Sequence, residues 1–324
     1  RSAAAGAGLA DVTQGLVRTK ITPPRLNRNH VDRTRLCAQL EAASDRALVL
    51  LRAPAGSGKS TLLVEWLARQ PRASAWVSLD EHDNDLAGFL TYVLAAIRRA
   101  CPQVRLATRD LLQALTAPPL EALVASLVDD LEQLPTDIVL VLDDYHCIEN
   151  PQIHEFLRQL LRHPPERLHL VVATRAEPPW PVARHRARGQ LAEIRYDDLL
   201  FTADEADTYL RQMLGDTFDQ DLASVLHDES EGWAAGLQLM ALTIRGRPPE
   251  SVRGALVLES RDDIEAILLE EVFARLAPEV QDHLLRLSVL DRLCASLCEA
   301  VCGEPGDAAE AGWGDAFLTW LGNA

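Results

Sequence analysis

The segment LVLLRAPAGSGKSTLL, residues 48 to 63, constrains the fold more than any other part of the sequence. It begins with apolar, strand-forming residues, passes through a turn rich in Gly, Pro and Ser, and ends in a segment with helical spacing. Residues 53 to 60 match the phosphate-loop pattern G-x-x-x-x-G-K-[ST], except that Ala53 replaces the first Gly. The order of strand, loop and helix therefore predicts a loop that binds phosphate groups.

Each residue type in this loop has a predicted role. The glycines let backbone N–H groups curve around phosphate oxygens, and the start of the following helix adds partial positive charge. We expect Lys59 to reach the β- and γ-phosphates of ATP, Ser60 to ligate Mg²⁺ and Thr61 to contact the α-phosphate. The competing interpretation is a Gly/Ser turn before an amphipathic helix. The predicted nucleotide contacts of the loop are Ala55, Gly56, Ser57, Gly58, Lys59, Ser60 and Thr61.

Lys59 also differs from the usual cation of this sequence. The chain contains two lysines, Lys20 and Lys59, and the rest of its 32 basic residues are Arg. A Lys at the loop position, where Arg is otherwise preferred, indicates that a compact charge on a flexible stem is needed there.

Two further apolar runs end in polar residues. IVLVLDDYH, residues 138 to 146, predicts a buried strand with Asp143 and Asp144 at its carboxyl end, where open α/β sheets bind ligands. We expect Asp143 to hold Mg²⁺ through water and Asp144 to orient or deprotonate an attacking water. LHLVVATR, residues 168 to 175, places Arg175 where it can sense the γ-phosphate. The alternatives are a loop-capping Asp pair and a solvent-facing Arg. The predicted catalytic residues are Lys59, Asp144 and Arg175, and the predicted metal ligands are Ser60 and Asp143.

Residues 31 to 200 alternate strand-like and helical segments, which is typical of an α/β fold with a mainly parallel sheet. The fold class predicted is a three-layer P-loop NTPase sandwich followed by helical domains, the last of which is a partial winged helix according to the family resemblance described below. The β signal ends near Phe201, and GRPPESVRG, residues 246 to 254, has the composition of a linker. The predicted parts are a disordered lead segment (1–16), a nucleotide-binding domain (17–200), a helical domain (201–250) and a truncated winged-helix domain (251–324).

The net charge, the apolar runs and the cysteine spacing argue against several classes of protein. A net charge of −16 argues against a broad nucleic-acid-binding face on this chain. No apolar run is long enough to span a bilayer, and the first residues lack the apolar core of a secretory signal, so we expect a cytoplasmic protein that does not bind membranes. The six cysteines form no C-x-x-C pair, which favours free thiols.

Three of those cysteines, Cys294, Cys298 and Cys302, have the spacing of one helix face. A metal site would need a fourth ligand, for which His283 is the nearby candidate. We interpret the three thiols instead as small buried apolar groups, and predict no metal other than Mg²⁺.

Several longer segments occur together in an order seen in one family. These are TKITPPRLNRNHVDRTRL, APAGSGKST, SLDEHDND, VLDDYHCIENPQIHEFLRQLL, VVATR, LLFTADEA and EGWAAGLQLMAL. Over residues 17 to 324 the chain resembles the MalT-like regulators, which are large ATP-dependent transcriptional activators of the LuxR type within the STAND class of P-loop NTPases. The DDYH and EGWAAGLQL segments are more specific than the phosphate loop alone.

The resemblance implies a switch that is ADP-bound at rest and self-associates when it binds ATP and an inducer. It implies slow hydrolysis of ATP, nucleotide contacts from Val31 and Arg33, an unknown inducer bound by regions absent from this chain, and DNA binding through a C-terminal helix-turn-helix that is also absent. Val31 would pack on the adenine edge while Arg33 offers hydrogen bonds. The competing interpretation of both residues is a helix start that only precedes the core.

Where related STAND proteins often place a Pro near the nucleotide, this chain has Ala234. Its neighbour Trp233 could therefore pack in the core or near the base, and we predict the core.

Two other functions remain open from the sequence. The first is a turnover ATPase or small-molecule kinase of the P-loop class. A kinase would need an acceptor site and a closing lid, and a motor ATPase that acts on nucleic acid would need basic strand-tracking surfaces. We find neither pattern. A scaffold without hydrolysis is disfavoured by the intact Lys59, Ser60, Asp143 and Asp144.

Overall fold

Five short strands form a parallel sheet at the centre of the first part of the chain. The strands are β1 (Leu48–Arg52), β2 (Ala73–Ser78), β3 (Ile138–Asp143), β4 (Leu168–Thr174) and β5 (Leu191–Arg195). They are ordered β2-β3-β4-β1-β5, and every neighbouring pair is parallel. In this computed structural model the described residues are 16–27, 29–114, 118–215, 220–245, 273, 276–290, 293–302 and 313–321. The predicted α/β fold class is confirmed.

Helices follow the strands and continue beyond them. They are α1 (Thr34–Ala42), α2 (Lys59–Arg69), α3 (Leu86–Ala100), α4 (Ala107–Leu112), α5 (Leu120–Glu132), α6 (Pro151–Arg162), α7 (Val182–Ala187), α8 (Tyr196–Leu199), α9 (Ala203–Leu214), α10 (Gln220–Ser230), α11 (Ala234–Ile244), α12 (Pro278–Leu287), α13 (Ala295–Cys302) and α14 (Trp313–Leu321). Local signals set several starts. Asn150 caps α6 by accepting from the Gln152 backbone N–H at 2.9 Å, with Pro151 in the first helical position.

The sheet is buried on both faces. Along β1, Leu48 and Leu50 join one apolar cluster with residues of α3, α5 and α6, while Val49 and Leu51 join a second cluster with residues of α1 and α2. Strands covered by helices on both sides need no polar alternation, which explains the continuous apolar runs in the sequence. The sheet therefore holds its carboxyl edge, where the predicted site residues lie, on a rigid support.

The chain divides into two units, the first ending at Ala235 and the second beginning at Gly236. The predicted domain boundaries stay predictions, and the predicted linker, residues 246 to 254, lies outside the described residues. No helix in the described ranges has the length and apolar character needed to cross a membrane.

The second unit contains a small apolar cluster formed by α12, α13 and α14. Cys298 and Cys302 are buried in it beside Leu287 and Phe317. Burial raises the pKa of both thiols, as expected of cysteines that pack as apolar groups. Cys294 differs from the prediction because it lies just before α13 and is exposed.

Two matched valine substitutions test the buried sheet. Val141 in β3 is fully buried, whereas Val225 in α10 is 45% exposed. We expect Val141→Ala to lower the free energy of unfolding by roughly 2–3 kcal/mol, because it removes buried methyl groups and leaves a cavity. Val225→Ala should change it by less than about 0.5 kcal/mol. Urea denaturation measures both, and equal effects would contradict the burial assigned to β3.

Candidate nucleotide-binding site

Three neighbouring strands bring the predicted site residues to one edge of the sheet. β4 lies between β3 and β1, so Asp143 at the end of β3, Arg175 after β4 and the phosphate loop after β1 all emerge at the same carboxyl edge. The loop remains tied to the sheet at its start, because the Ala53 N–H donates to the Thr174 carbonyl at 3.2 Å. Parallel neighbours of this kind place ligands beyond their carboxyl ends.

The phosphate loop turns sharply between β1 and α2. Gly56 and Gly58 have φ angles of +68° and +83°, a region that side chains disfavour, and Gly58 stands directly before α2. Ala53, in place of the first Gly of the motif, is not among the described residues with positive φ, so its methyl group is tolerated. Ser57 is buried, and its hydroxyl donates to the Pro54 carbonyl at 2.9 Å. The loop therefore has a defined shape.

Lys59 lies inside the curve of this loop. It is 6% exposed, and its Nζ donates to the carbonyls of Ala53 at 2.7 Å and Pro54 at 2.8 Å. Burial lowers the pKa of Lys59 to about 8, the nearby Arg175 guanidinium acts in the same direction, and the carboxylates of Asp144 and Asp143 oppose it. The loop thus buries a cation whose charge the protein compensates only in part.

Ser60 and Asp143, the two predicted metal ligands, are in direct contact. The Ser60 hydroxyl donates to Asp143 Oδ1 at 3.0 Å, which puts two oxygen ligands side by side. Asp143 is 4% exposed, and this burial raises its pKa to about 6, with repulsion from Asp144 adding to the effect. The Ser60 hydrogen bond and the Lys59 charge act against that rise. A divalent cation beside this carboxylate would favour its ionised form.

Asp144 lies beside this pair but is more open. Its carboxylate side chain is 45% exposed, and its backbone has φ +56° and ψ +39°, in the left-handed region. Asp and Asn tolerate this conformation better than most side chains. The following residues form a 3₁₀ turn, Tyr145–Cys147, so the left-handed residue directs the chain away from the end of β3.

The turn after Asp144 is held by residues that sequence reasoning did not select. The buried Tyr145 ring stacks on Trp180, with centroids 4.9 Å apart, and its hydroxyl hydrogen-bonds His154 Nδ1 at 2.6 Å. Asn84, from the SLDEHDND segment, donates to the Cys147 carbonyl at 2.8 Å. The DDYH motif contained Tyr145, but its aromatic partner is 35 positions away and no local signal pointed to it.

Val31 and Arg33, the predicted nucleotide contacts nearest the N-terminus, have different surroundings from the phosphate-loop residues. Val31 is 7% exposed and lines a cavity of about 370 Å³ together with His30, Asp32 and residues of α9. The Arg33 guanidinium donates to the carbonyls of Leu199 at 2.8 Å and Leu200 at 3.0 Å. It also pairs with Glu205 at 3.2 Å and lies over the Phe201 ring, 4.4 Å from its centroid.

Arg33 therefore ties the segment before α1 to the segment before α9. Burial lowers its pKa, and Glu205 opposes that shift. All of these contacts are with the chain itself, so the predicted hydrogen bonds from Arg33 to a nucleotide stay a prediction. Thr61, in contrast, is exposed in the first turn of α2, and Arg175 is half-buried at the end of β4.

One further group of side chains could hold a cation. In the described part of the chain, His30, Asp32 and Glu65 offer ligand atoms within 4.8 Å of one another. The Glu65 carboxylate, however, already accepts from the Arg33 backbone N–H at 3.0 Å and pairs with Arg69 at 2.7 Å. We assign the group to ion pairing.

Sequence and structure comparisons agree with the geometry. The family profile of the AAA ATPase domain matches residues 31–173, and that of the MalT winged helix domain matches residues 269–312. The HTH-type transcriptional regulator MalT of Yersinia enterocolitica is 36% identical over 291 residues, which is 89% of this chain and 32% of that protein. The MalT of Klebsiella pneumoniae is 35% identical over 291 residues, which is again 89% of this chain and 32% of that protein. The resemblance to the MalT-like regulators is confirmed.

A solved structure supports the fold of this MalT-like chain. A signal transduction ATPase with numerous domains and a tetratricopeptide repeat sensor, from Pyrococcus horikoshii, aligns with a TM-score of 0.51 at 12% identity. The alignment covers 91% of this chain and 40% of that one. The chain spans about a third of the length of the curated MalT relatives it matches.

Trp233, in the EGWAAGL segment, contacts the phosphate loop. The prediction that Trp233 packs in the core is wrong, because its side chain is half-buried and its indole N–H donates to the Ala55 carbonyl at 3.1 Å. A buried indole needs a hydrogen-bond acceptor, and the outward-facing carbonyls of the loop provide one. The sequence alone could not show this, since Trp233 and Ala55 are 178 positions apart.

The raised pKa of Asp143 predicts that the folded chain becomes less stable as pH rises. Without nucleotide and Mg²⁺, the folded chain holds the proton up to about pH 6, whereas an unfolded Asp loses it near pH ~3.9. The free energy of unfolding therefore falls as pH rises from the unfolded-state pKa to the folded-state pKa of Asp143, and the full loss is present above the folded-state value. We expect Asp143→Asn to raise the free energy of unfolding by roughly 1–3 kcal/mol at pH 7.5 and by little below pH ~4.

Urea denaturation between pH 4 and 8 measures this difference. Asp45→Asn is the control, because the Asp45 side chain is 73% exposed. An advantage of Asp143→Asn that is the same at every pH, or one shared by Asp45→Asn, would contradict the shifted pKa.

Proposed function

We propose that this chain is the nucleotide-binding part of a MalT-like transcriptional regulator, and that it binds ATP and ADP with Mg²⁺ as a conformational switch. The observation that carries the proposal is the meeting of Lys59, Ser60 and Asp143 at one edge of the sheet. Lys59 is buried within the loop, and Ser60 is hydrogen-bonded to Asp143 at 3.0 Å. A phosphate chain with its Mg²⁺ is the ligand whose charges complement this arrangement.

The loop would bind the phosphates mainly through backbone N–H groups. The N–H groups from Gly56 to Thr61 and the start of α2 supply hydrogen-bond donors and partial positive charge. Lys59 would turn from the Ala53 and Pro54 carbonyls towards the β- and γ-phosphates, and an anion beside it would favour its charged form. Bound Mg²⁺ would screen the phosphate charge, held by Ser60 directly and by Asp143 through water.

Hydrolysis is proposed to be slow and to reset the switch. Asp144 is exposed enough to contact solvent, so it could orient a water or accept its proton as the water oxygen bonds to the γ-phosphorus. The bond from that phosphorus to the bridging oxygen breaks in the same reaction and leaves ADP. Arg175 would stabilise the charge on the transferred phosphoryl group, a role that its place after β4 supports.

The proposal also covers the nucleotide states, self-association and DNA binding of a protein as long as the MalT relatives. We propose ADP at rest, self-association with ATP and an inducer, and DNA binding through a helix-turn-helix outside this chain. The MalT relatives are HTH-type transcriptional regulators, which supports a DNA-binding regulator. The net charge of −16 favours a DNA-binding surface elsewhere than on this chain. The cytoplasmic location stays a prediction.

The two lysines of the chain allow a matched test of nucleotide binding. We expect Mg·ATP at about 100 times its Kd to stabilise the wild-type chain by about 2.7 kcal/mol, and Lys59→Ala to lose that stabilisation. The control is Lys20→Ala, because Lys20 pairs with Asp80 and Asp83 away from the loop. Thermal melts with and without nucleotide measure the effect. If Lys59→Ala keeps the full nucleotide-dependent shift, the nucleotide binds elsewhere.

A second substitution separates binding from hydrolysis. Asp144→Asn should keep the Kd for Mg·ATP within about 3-fold of wild type, because the side chain does not hold the phosphate loop. It should lower single-turnover hydrolysis by roughly 10²–10⁴-fold, the range for loss of a general base. Asp137→Asn is the control, since the Asp137 side chain is 48% exposed next to His169. Wild-type hydrolysis by Asp144→Asn would remove the role proposed for this carboxylate.

A further inference from the structure

The 232–235 segment, which runs from the end of the α10–α11 connection into the first residues of α11, lies against the outer side of the phosphate loop. The Trp233 indole N–H donates to the Ala55 carbonyl at 3.1 Å. The Ala235 backbone N–H donates to the Gly56 carbonyl at 3.0 Å. Two successive carbonyls of the loop are therefore held by one short segment that lies more than 170 positions away in sequence.

These two bonds fix the orientation of two peptide groups. In a planar trans peptide, the carbonyl of one residue and the N–H of the next point in opposite directions. No described peptide bond is cis. A bond to the Ala55 carbonyl therefore sets the direction of the Gly56 N–H, and a bond to the Gly56 carbonyl sets that of the Ser57 N–H. Both N–H groups belong to the predicted phosphate contacts of the loop.

The fit between the 232–235 segment and the loop is tight. A Cβ atom added at Gly56 would lie 2.5 Å from the Ala235 Cβ and 3.1 Å from the Trp233 ring. A contact of 2.5 Å does not occur between real Cβ atoms, so a side chain at position 56 would force the loop or the segment to shift. The close approach uses the missing side chain of Gly56 as well as its left-handed backbone.

The 232–235 segment is itself held in place from behind. The Gly232 carbonyl accepts from the Phe201 N–H at 2.8 Å, and the Trp233 N–H donates to the Ser230 carbonyl at 2.8 Å. His227 Nε2 hydrogen-bonds the Phe201 carbonyl at 2.9 Å. The Phe201 ring in turn lies under the Arg33 guanidinium. The segment is thus a fixed support and not a loose loop resting on its neighbour.

We propose that Trp233 is a positioning residue for nucleotide binding, and that with Ala235 it orients the Gly56 and Ser57 N–H groups towards the phosphates. The inference rests on the proposed function and assigns a role in it to a residue outside the phosphate-loop motif. Movement of the loop on binding phosphate is then transmitted through the same two bonds to the start of α11 at Ala234.

Substitution of Trp233 by Phe tests the first part, because it keeps an aromatic ring and removes the donor. Loss of one neutral hydrogen bond corresponds to roughly a 2- to 10-fold weaker affinity. We expect Trp233→Phe to weaken both Mg·ADP and Mg·ATP by that factor in calorimetric titrations. The matched control is Trp76→Phe, because the buried Trp76 indole donates a bond of 2.8 Å to Ser78 in β2 and not to the loop. Its affinities should stay within about 2-fold of wild type.

Hydrogen exchange on the wild-type chain tests the second part without any substitution. Nucleotide should slow exchange of the Ala235 amide at least about 3-fold, because this amide donates to the Gly56 carbonyl of the loop. The control is the Ala206 amide of α9, which donates to the Thr202 carbonyl and should be unaffected. Unchanged exchange at Ala235, or Trp233→Phe affinities within 2-fold of wild type, would overturn the inference. If wild-type protein binds no nucleotide, the proposed function itself fails. If it binds and only Trp233→Phe is without effect, the proposed function stands.

Discussion

The structure depends on one constraint: neighbouring parallel strands end at the same edge of a sheet. With β4 between β3 and β1, this edge collects the end of the Asp143 strand, Arg175 and the phosphate loop. Apolar clusters cover both faces of the sheet, so the strands cannot shift to move these groups apart. The convergence of charge at the edge is therefore a direct consequence of the packing of the apolar runs.

That convergence has an electrostatic cost to the folded chain. Lys59 and Asp143 are both almost fully buried. Burial favours the neutral form of each side chain: it lowers the pKa of Lys59 to about 8 and raises the pKa of Asp143 to about 6. A protein selected for stability alone would fill such positions with apolar side chains. Phosphate oxygens beside Lys59 and a divalent cation beside Asp143 would reverse both shifts. The unfavourable arrangement is thus the one expected of a site that gains its stability from a charged ligand.

Sequence patterns predicted the parts of the site that depend on local structure. The strands that precede Asp143 and Arg175 followed from continuous apolar runs, and the loop followed from Gly, Lys and Ser at fixed spacing before a helix. Residues brought together from distant segments could not be predicted in this way. Trp233 contacts the loop, Tyr145 stacks on Trp180, and neither pair shares a periodicity that a sequence could display.

The family resemblance implied a nucleotide contact from Arg33, and that contact stays a prediction. In the structure the Arg33 guanidinium contacts residues 199 to 201 and Glu205, which follow the last strand. Those residues also support the 232–235 segment through the Phe201 N–H. One connected set of contacts therefore runs from the N-terminal segment, through the end of the sheet domain, to the outer side of the phosphate loop.

The central claim is that this loop, with Lys59, Ser60 and Asp143, binds the phosphates and Mg²⁺ of a nucleotide. The most direct measurement is a crystal structure of the chain with Mg²⁺ and a non-hydrolysable ATP analogue at concentrations that calorimetry shows to be saturating. The account predicts phosphate oxygens within hydrogen-bond distance of the N–H groups from Gly56 to Ser60, and a metal ion between Ser60 and Asp143. Nucleotide bound elsewhere on a saturated chain, with Lys59 still bonded to the carbonyls of Ala53 and Pro54, would contradict it.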